Sequence, residues 1–172
     1  TPRLADNQPG KVEELVLGED IRRLALGGND QLLATDYLGD QLILVDRRHW
    51  TLISRIPVGK RPFGVVYQGA MKRYFVTLFE ANQLLVIENG EITQTLATAA
   101  TPRGLALTDD NRLLVTHAMT GEVSIYDVTA TTPTLLKTIK LAVNQDQDEF
   151  KSQGEPRLLD DIAVSPDGKE AW

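Results

Sequence analysis

The sequence contains no cysteine. Structural disulfides, thiolate metal sites and a cysteine nucleophile are therefore excluded from this segment, although the absence fixes no compartment. Histidine is nearly missing as well, with 2 residues in 172, and a metal centre normally needs three or more convergent ligands. A basic excess is lacking. Lys and Arg number 18 against 24 Asp and Glu, a net charge of −6, and the pI is near 4.9. Nucleic acid and anionic membranes demand a basic face, so neither is expected as a partner. No apolar run approaches the roughly 18 residues of a membrane helix. The opening TPRLADNQPG lacks the apolar centre of a signal peptide and reads as a flexible lead, residues 1–10. Gly-x-Ser-x-Gly, a Gly-Lys-Ser/Thr phosphate loop and Cys-x-x-Cys-His are all missing.

What is present is a repeat. RGLALTDDNRLLVTHAMTGEVSIYD (103–127) reads as strand, turn, strand, turn, strand, and IRRLALGGNDQLLATDYLGDQLILVD (21–46) and FGVVYQGAMKRYFVTLFEANQLLVIE (63–88) spell the same pattern. LDDIAVSPDGKEAW starts a fourth copy at Leu159. Aligned on Leu24, Val65, Leu105 and Ile162, the copies lie 41, 40 and 57 residues apart. A period of about 40 with several short strands per unit is the range of propeller blades. The long third spacing places an insertion at 144–155, carrying Asp146, Asp148 and Glu149. That loop lacks the Gly and closing Glu of a calcium loop and reads as a solvated loop.

Turn chemistry sets the strand ends. Gly27-Gly28-Asn29-Asp30, Gly39-Asp40, Asn89-Gly90 and Ser165-Pro166-Asp167-Gly168 supply residues that tolerate positive φ or preset it. Leu42–Val45 and Leu84–Ile87 are continuous apolar runs. A sheet with one wet face would alternate, so both faces are expected to be covered. The expected fold is all-β, a β-propeller fragment of four-stranded antiparallel blades over 11–172. Blades are expected at 21–58, 62–97 and 102–141, with the start of another at 157–172. A single strand is expected at 11–17, where the last strand of a preceding blade would sit.

The third unit resembles the YVTN family of bacterial and archaeal β-propeller repeats. Pro102, Gly104, Val115, Thr116, Gly121, Val123, Ser124, Ile125 and Asp127 follow its pattern, and His117 stands where that family usually has Asn. Unit one keeps Gly39 and Asp46 without Pro-x-Gly; unit two keeps Pro62 and Gly64 but closes on Glu88. The resemblance implies a seven-bladed propeller, of which this chain is a part. Relatives of that architecture include lactonase-like propellers and propellers accompanying c-type or peroxidase-type haem domains. The ending GEPRLLDDIAVSPDGKEAW is similar to the haem-accompanied group.

Propeller topology gathers the blade crossings and the second-to-third strand turns on one face. Arg61, Arg103 and Arg157 each stand beside a Pro at the start of an innermost strand. They read either as an anion or carbonyl site built on guanidinium forks, or as partners of acids such as Asp36, Asp109, Asp160 and Asp161. Asp36 and His117 occupy matching repeat positions and read either as a base or ligand over the channel, or as side chains bonding turn backbone. No catalytic set is visible, and no cofactor or metal is expected in this segment. The expected function is a non-catalytic scaffold outside the cytoplasm, periplasmic or extracellular, that binds a protein or small ligand. Its flanks would meet the remaining blades or a self-association partner. The alternative is the propeller portion of a larger enzyme, haem-associated or lactonase-like.

Overall fold

The computed structural model describes residues 14–141, 158–165 and 167–172. The lead at 1–10, the insertion at 144–155, Arg157 and the first residues of the expected 11–17 strand lie outside the described residues. Residues 14–17 form no strand. No ladder partner stands beside them among the described residues, and Val16 is 89% exposed.

Twelve strands follow in chain order: β1 (Ile21–Leu26), β2 (Gln31–Asp36), β3 (Gln41–Asp46), β4 (Thr51–Pro57), β5 (Pro62–Gln68), β6 (Arg73–Leu78), β7 (Gln83–Glu88), β8 (Glu91–Ala97), β9 (Pro102–Leu107), β10 (Arg112–His117), β11 (Glu122–Asp127) and β12 (Thr134–Lys140). They form three antiparallel meanders, β1-β2-β3-β4, β5-β6-β7-β8 and β9-β10-β11-β12. The turns use the residues that accept positive φ, among them Asn29, Asp30, Asp40, Asn82, Asn89 and Asn111. The sheets stack through their first strands, β1 against β5 and β5 against β9. Each sheet is therefore a blade with its first strand innermost, and the arc is a run of β-propeller blades. Among the described residues the fourth unit contributes one bridge, Val164 to Ala171.

Two apolar layers hold the arc. Leu33, Leu42, Leu44 and Val58 from blade one meet Val65, Val76, Leu85 and Ile87 from blade two. Phe75, Leu84 and Val86 on the other side of blade two meet Leu105, Leu113, Val115 and Tyr126. Blade two is thus buried on both faces, which is why its strands read as unbroken apolar runs. The fourth strands β4, β8 and β12 are mostly exposed.

The blades share a second device. Each innermost strand carries a register shift near its start, at Ile21/Arg23, Pro62/Val65 and opposite Val115/His117. A threonine hydroxyl fills each gap. The Arg23 N–H donates to Thr35 Oγ1 at 3.1 Å, and Thr35 donates onward to the Phe63 carbonyl of blade two at 2.7 Å. Gly64 N–H donates to Thr77 Oγ1 at 2.8 Å, and Thr77 to the Arg103 carbonyl of blade three at 2.7 Å. Gly104 N–H donates to Thr116 Oγ1 at 2.8 Å. One hydroxyl thus satisfies a bulged donor in its own blade and an acceptor in the next. Gly64 is required there: a Cβ would overlap the Arg103 carbonyl oxygen.

Candidate functional site

The rim where crossings meet turns is fixed by backbone bonds. Tyr37 N–H donates to the Asp20 carbonyl at 2.8 Å, Phe79 N–H to Arg61 at 2.9 Å and Ala118 N–H to Thr101 at 3.0 Å. Each second-to-third strand turn is therefore tied to the residue that leads into its own innermost strand. Arg61 and Thr101 take positive φ, 60° and 54°, to make that entry.

Four guanidiniums and three aromatic rings gather here. Arg22 and Arg61 lie over the Tyr37 ring at 4.9 and 5.1 Å. Arg23 and Arg103 lie over Phe63 at 5.0 and 4.7 Å, and Arg103 also over Phe79 at 5.1 Å. Tyr37 in turn contacts Phe63 edge-on at 6.3 Å and Phe79 at 6.4 Å. Such stacking holds a guanidinium plane while leaving its donors free for an anion. The Nε atoms of Arg23 and Arg103 are buried without a hydrogen-bond partner among the described residues. Burial pushes the Arg103 pKa down, as do the like charges of Arg22 and Arg23, with Tyr37 pulling the other way. The acids that reach the cluster are Asp20 on Arg22, Glu80 on Arg61, Asp160 on Arg103 and Asp161 on Arg23.

Two of the three sequence-singled arginines are thus brought together, Arg61 and Arg103, from positions that are not equivalent. Arg61 precedes its proline in the crossing; Arg103 follows its proline and lies in β9. In blade two the counterpart of Arg103 is Phe63, so arginine and phenylalanine from neighbouring blades stack instead of forming a ring of like charges. Arg22 and Arg23 were not singled out from the sequence. The repeat alignment holds the signal, since Arg22 aligns with Phe63 and Arg103, and Arg23 takes the place of Gly64 and Gly104.

Asp36 and His117 lie inside. Both are fully buried. The Asp36 carboxylate accepts from the backbone N–H of Glu19, Asp20 (3.0 Å) and Gly39 (3.1 Å), and from Gln41 Nε2 at 2.9 Å. A Cβ at Gly18 or Gly39 would overlap it, so both glycines make room for this clamp. Burial pushes its pKa up, but the bonds from Gln41, Asp20, Gly39 and Glu19 outweigh that and hold it below the usual range. His117 Nε2 stands 2.9 Å from Ser124 Oγ. Among the described residues its Nδ1 has no partner of hydrogen-bond geometry, the Ala99 and Ala100 carbonyls standing near. Burial pushes the imidazole pKa down against a smaller pull from Glu122. Blade two carries Leu78 at the same position, packed in the core. Neither side chain reaches the rim surface: Asp36 is held by turn backbone and Gln41, and His117 by Ser124. Among the described residues, no three of His, Asp and Glu converge as metal ligands would, and no helix is long and apolar enough to cross a membrane.

Blades stacked on their first strands, with crossings and turns gathered at one rim, define a β-propeller. No protein-family model matches the chain, and no curated protein matches it. Among solved structures it is similar to the Kuenenia stuttgartiensis hydrazine synthase, at 16% identity and a TM-score of 0.70, over 95% of this chain and 44% of that one. It is also similar to a functionally unknown protein from Desulfotomaculum acetoxidans, at 17% identity and a TM-score of 0.68, over 86% of this chain and 46% of that one. The chain spans less than half the length of either, and at these identities the likeness is one of fold.

Proposed function

We propose that this chain is part of a non-catalytic binding propeller whose ligand is an anion received at the arginine–aromatic rim. The observation that carries the reading is the set of four guanidiniums held over three aromatic rings at one rim. Rings fix the planes at little entropic cost, and the forks present paired donors to a carboxylate or phosphate. A thermal-shift screen of small carboxylates, phosphate and sulfate tests it. At least one anion should raise the melting temperature of the chain and not that of the Arg61→Gln/Arg103→Gln variant. The reading fails if none does at millimolar concentration. The resemblance to YVTN repeats supports a place outside the cytoplasm, which cell fractionation checks. It also supports flanks covered by further blades or by a second copy.

A second reading makes the segment the propeller portion of a larger enzyme. It draws on the similarity to a hydrazine synthase and on the ending's resemblance to haem-accompanied propellers. A haem absorption band in the full-length protein would favour it; a colourless full-length protein would remove the haem form.

A further inference from the structure

Two carboxylates already stand at this rim. Asp160 pairs with Arg103, and Asp161 lies 3.4 Å from Arg23. The Asp160 carbonyl also accepts from Arg23 Nη2 at 3.1 Å. The two acids are 60% and 62% exposed, whereas their arginines are 23% and 30% exposed. Ion pairs whose acid faces solvent are weak, because water and salt screen them. The arginines are held by Phe63 and Phe79 whatever anion faces them. The Asp161 backbone packs against Gly104 and the Asp161 Oδ1 accepts from the Ile162 N–H at 2.9 Å, so what can be exchanged at each pair is the solvent-facing carboxylate, while the arginine stays on its ring.

Resting on the reading of the rim as an anion seat, we infer that Asp160 and Asp161 are a built-in stand-in for the ligand. They fill the seat at rest, and a molecule bearing two carboxylates displaces them by matching both contacts, one on Arg23 and one on Arg103. Arg22 and Arg61 keep Asp20 and Glu80, so the exchange concerns one pair of arginines only. Two sources supply that chemistry: a free dicarboxylate, or consecutive acidic side chains of an incoming peptide. A peptide would gain contact with Leu38 and Met119, 48% and 61% exposed beside the second-to-third strand turns, whereas a free dicarboxylate would not.

Calorimetric titration separates the possibilities. The probes are glutarate, an acetyl-Glu-Glu-amide peptide, and propionate as the single-carboxylate control. The proteins are the chain itself, Asp160→Asn/Asp161→Asn, and Arg23→Gln/Arg103→Gln. The expected result is glutarate binding about tenfold tighter in the asparagine variant than in the unaltered chain, since two weak internal pairs no longer compete. Binding should vanish in the glutamine variant, and propionate should bind at least about tenfold more weakly than glutarate. A peptide that outbinds glutarate assigns the source to a protein partner; the reverse assigns a free metabolite. Equal glutarate affinity in the unaltered chain and the asparagine variant overturns the stand-in while leaving the seat intact. No anion binding by any of the proteins overturns the seat itself. Carboxyl carbon chemical shifts of Asp160 and Asp161 in the unaltered chain give a measurement independent of mutation. They should move toward free-aspartate values as glutarate is added; unmoved shifts at saturation overturn the displacement.

Discussion

At the scale of single residues, two buried charged groups fasten segments that lack strand pairing of their own. Asp36 holds residues 18–20 against its blade. Its folded pKa lies below the ordinary value of about 3.9, so the unfolded chain takes up the proton more readily. The stabilisation is whole above about pH 4 and is lost as pH falls through the depressed folded value. Asp36→Ala leaves three backbone donors unsatisfied and should cost roughly 2–4 kcal/mol at neutral pH. Urea unfolding as a function of pH checks both statements, because the gap between the variant and the parent should narrow in acid. Arg73 is the second such group. It is fully buried, and its guanidinium donates to Gln68 Oε1 at 2.6 Å and to the carbonyls of Thr131 (2.6 Å), Val128 (2.8 Å) and Ala130 (2.9 Å). Arg73→Met strands those acceptors and should lower unfolding stability by roughly 3–5 kcal/mol, read from the same denaturation curves.

At the scale of elements, the blades depend on the threonine seam as well as on apolar burial. Thr77→Val keeps the shape and removes the hydroxyl, leaving the Gly64 N–H and the Arg103 carbonyl unpaired. It should cost about 2–3 kcal/mol by urea unfolding, and Gly64→Ala should cost more because the added methyl meets backbone that has nowhere to go. The strands were legible because their ends are set locally. Gly39-Asp40 and Asn89-Gly90 accept the turn conformations themselves, and Leu84–Ile87 could be continuous only if both faces were covered. The lone strand at 11–17 was misread at 14–17 for the complementary reason: an apolar alternation becomes a strand only beside a partner. The rim was legible in part. Its location followed from topology, and Arg61 and Arg103 from their prolines. Arg22 and Arg23 escaped because no proline stands beside them to mark the start of an innermost strand. The stacking on Phe63 escaped because it pairs positions from different blades, and sequence neighbours say nothing of that distance.

At the scale of the whole molecule, the arc has two flanks turned away from blade two. On the first, Leu24 and Leu26 are 57% and 61% exposed. On the other, a slot of about 260 Å³ lies between Leu114, Val123 and Ile125 of blade three and Ile162 and Trp172 of the fourth unit. Apolar surface of this kind favours association. The chain produced by itself is therefore expected to run above its 19.0 kDa mass in light scattering. Leu24→Gln/Leu26→Gln should raise the monomer fraction with little change in unfolding midpoint, since both side chains are already in water. Monodisperse monomer from the unaltered chain would count against any role for these flanks. The hydroxyl relay described above also bears on how such chains lengthen. A module that offers an acceptor on its left and a donor on its right fits beside any copy of itself, so tandem duplication of a blade's coding segment adds a working joint without a compensating change on either neighbour.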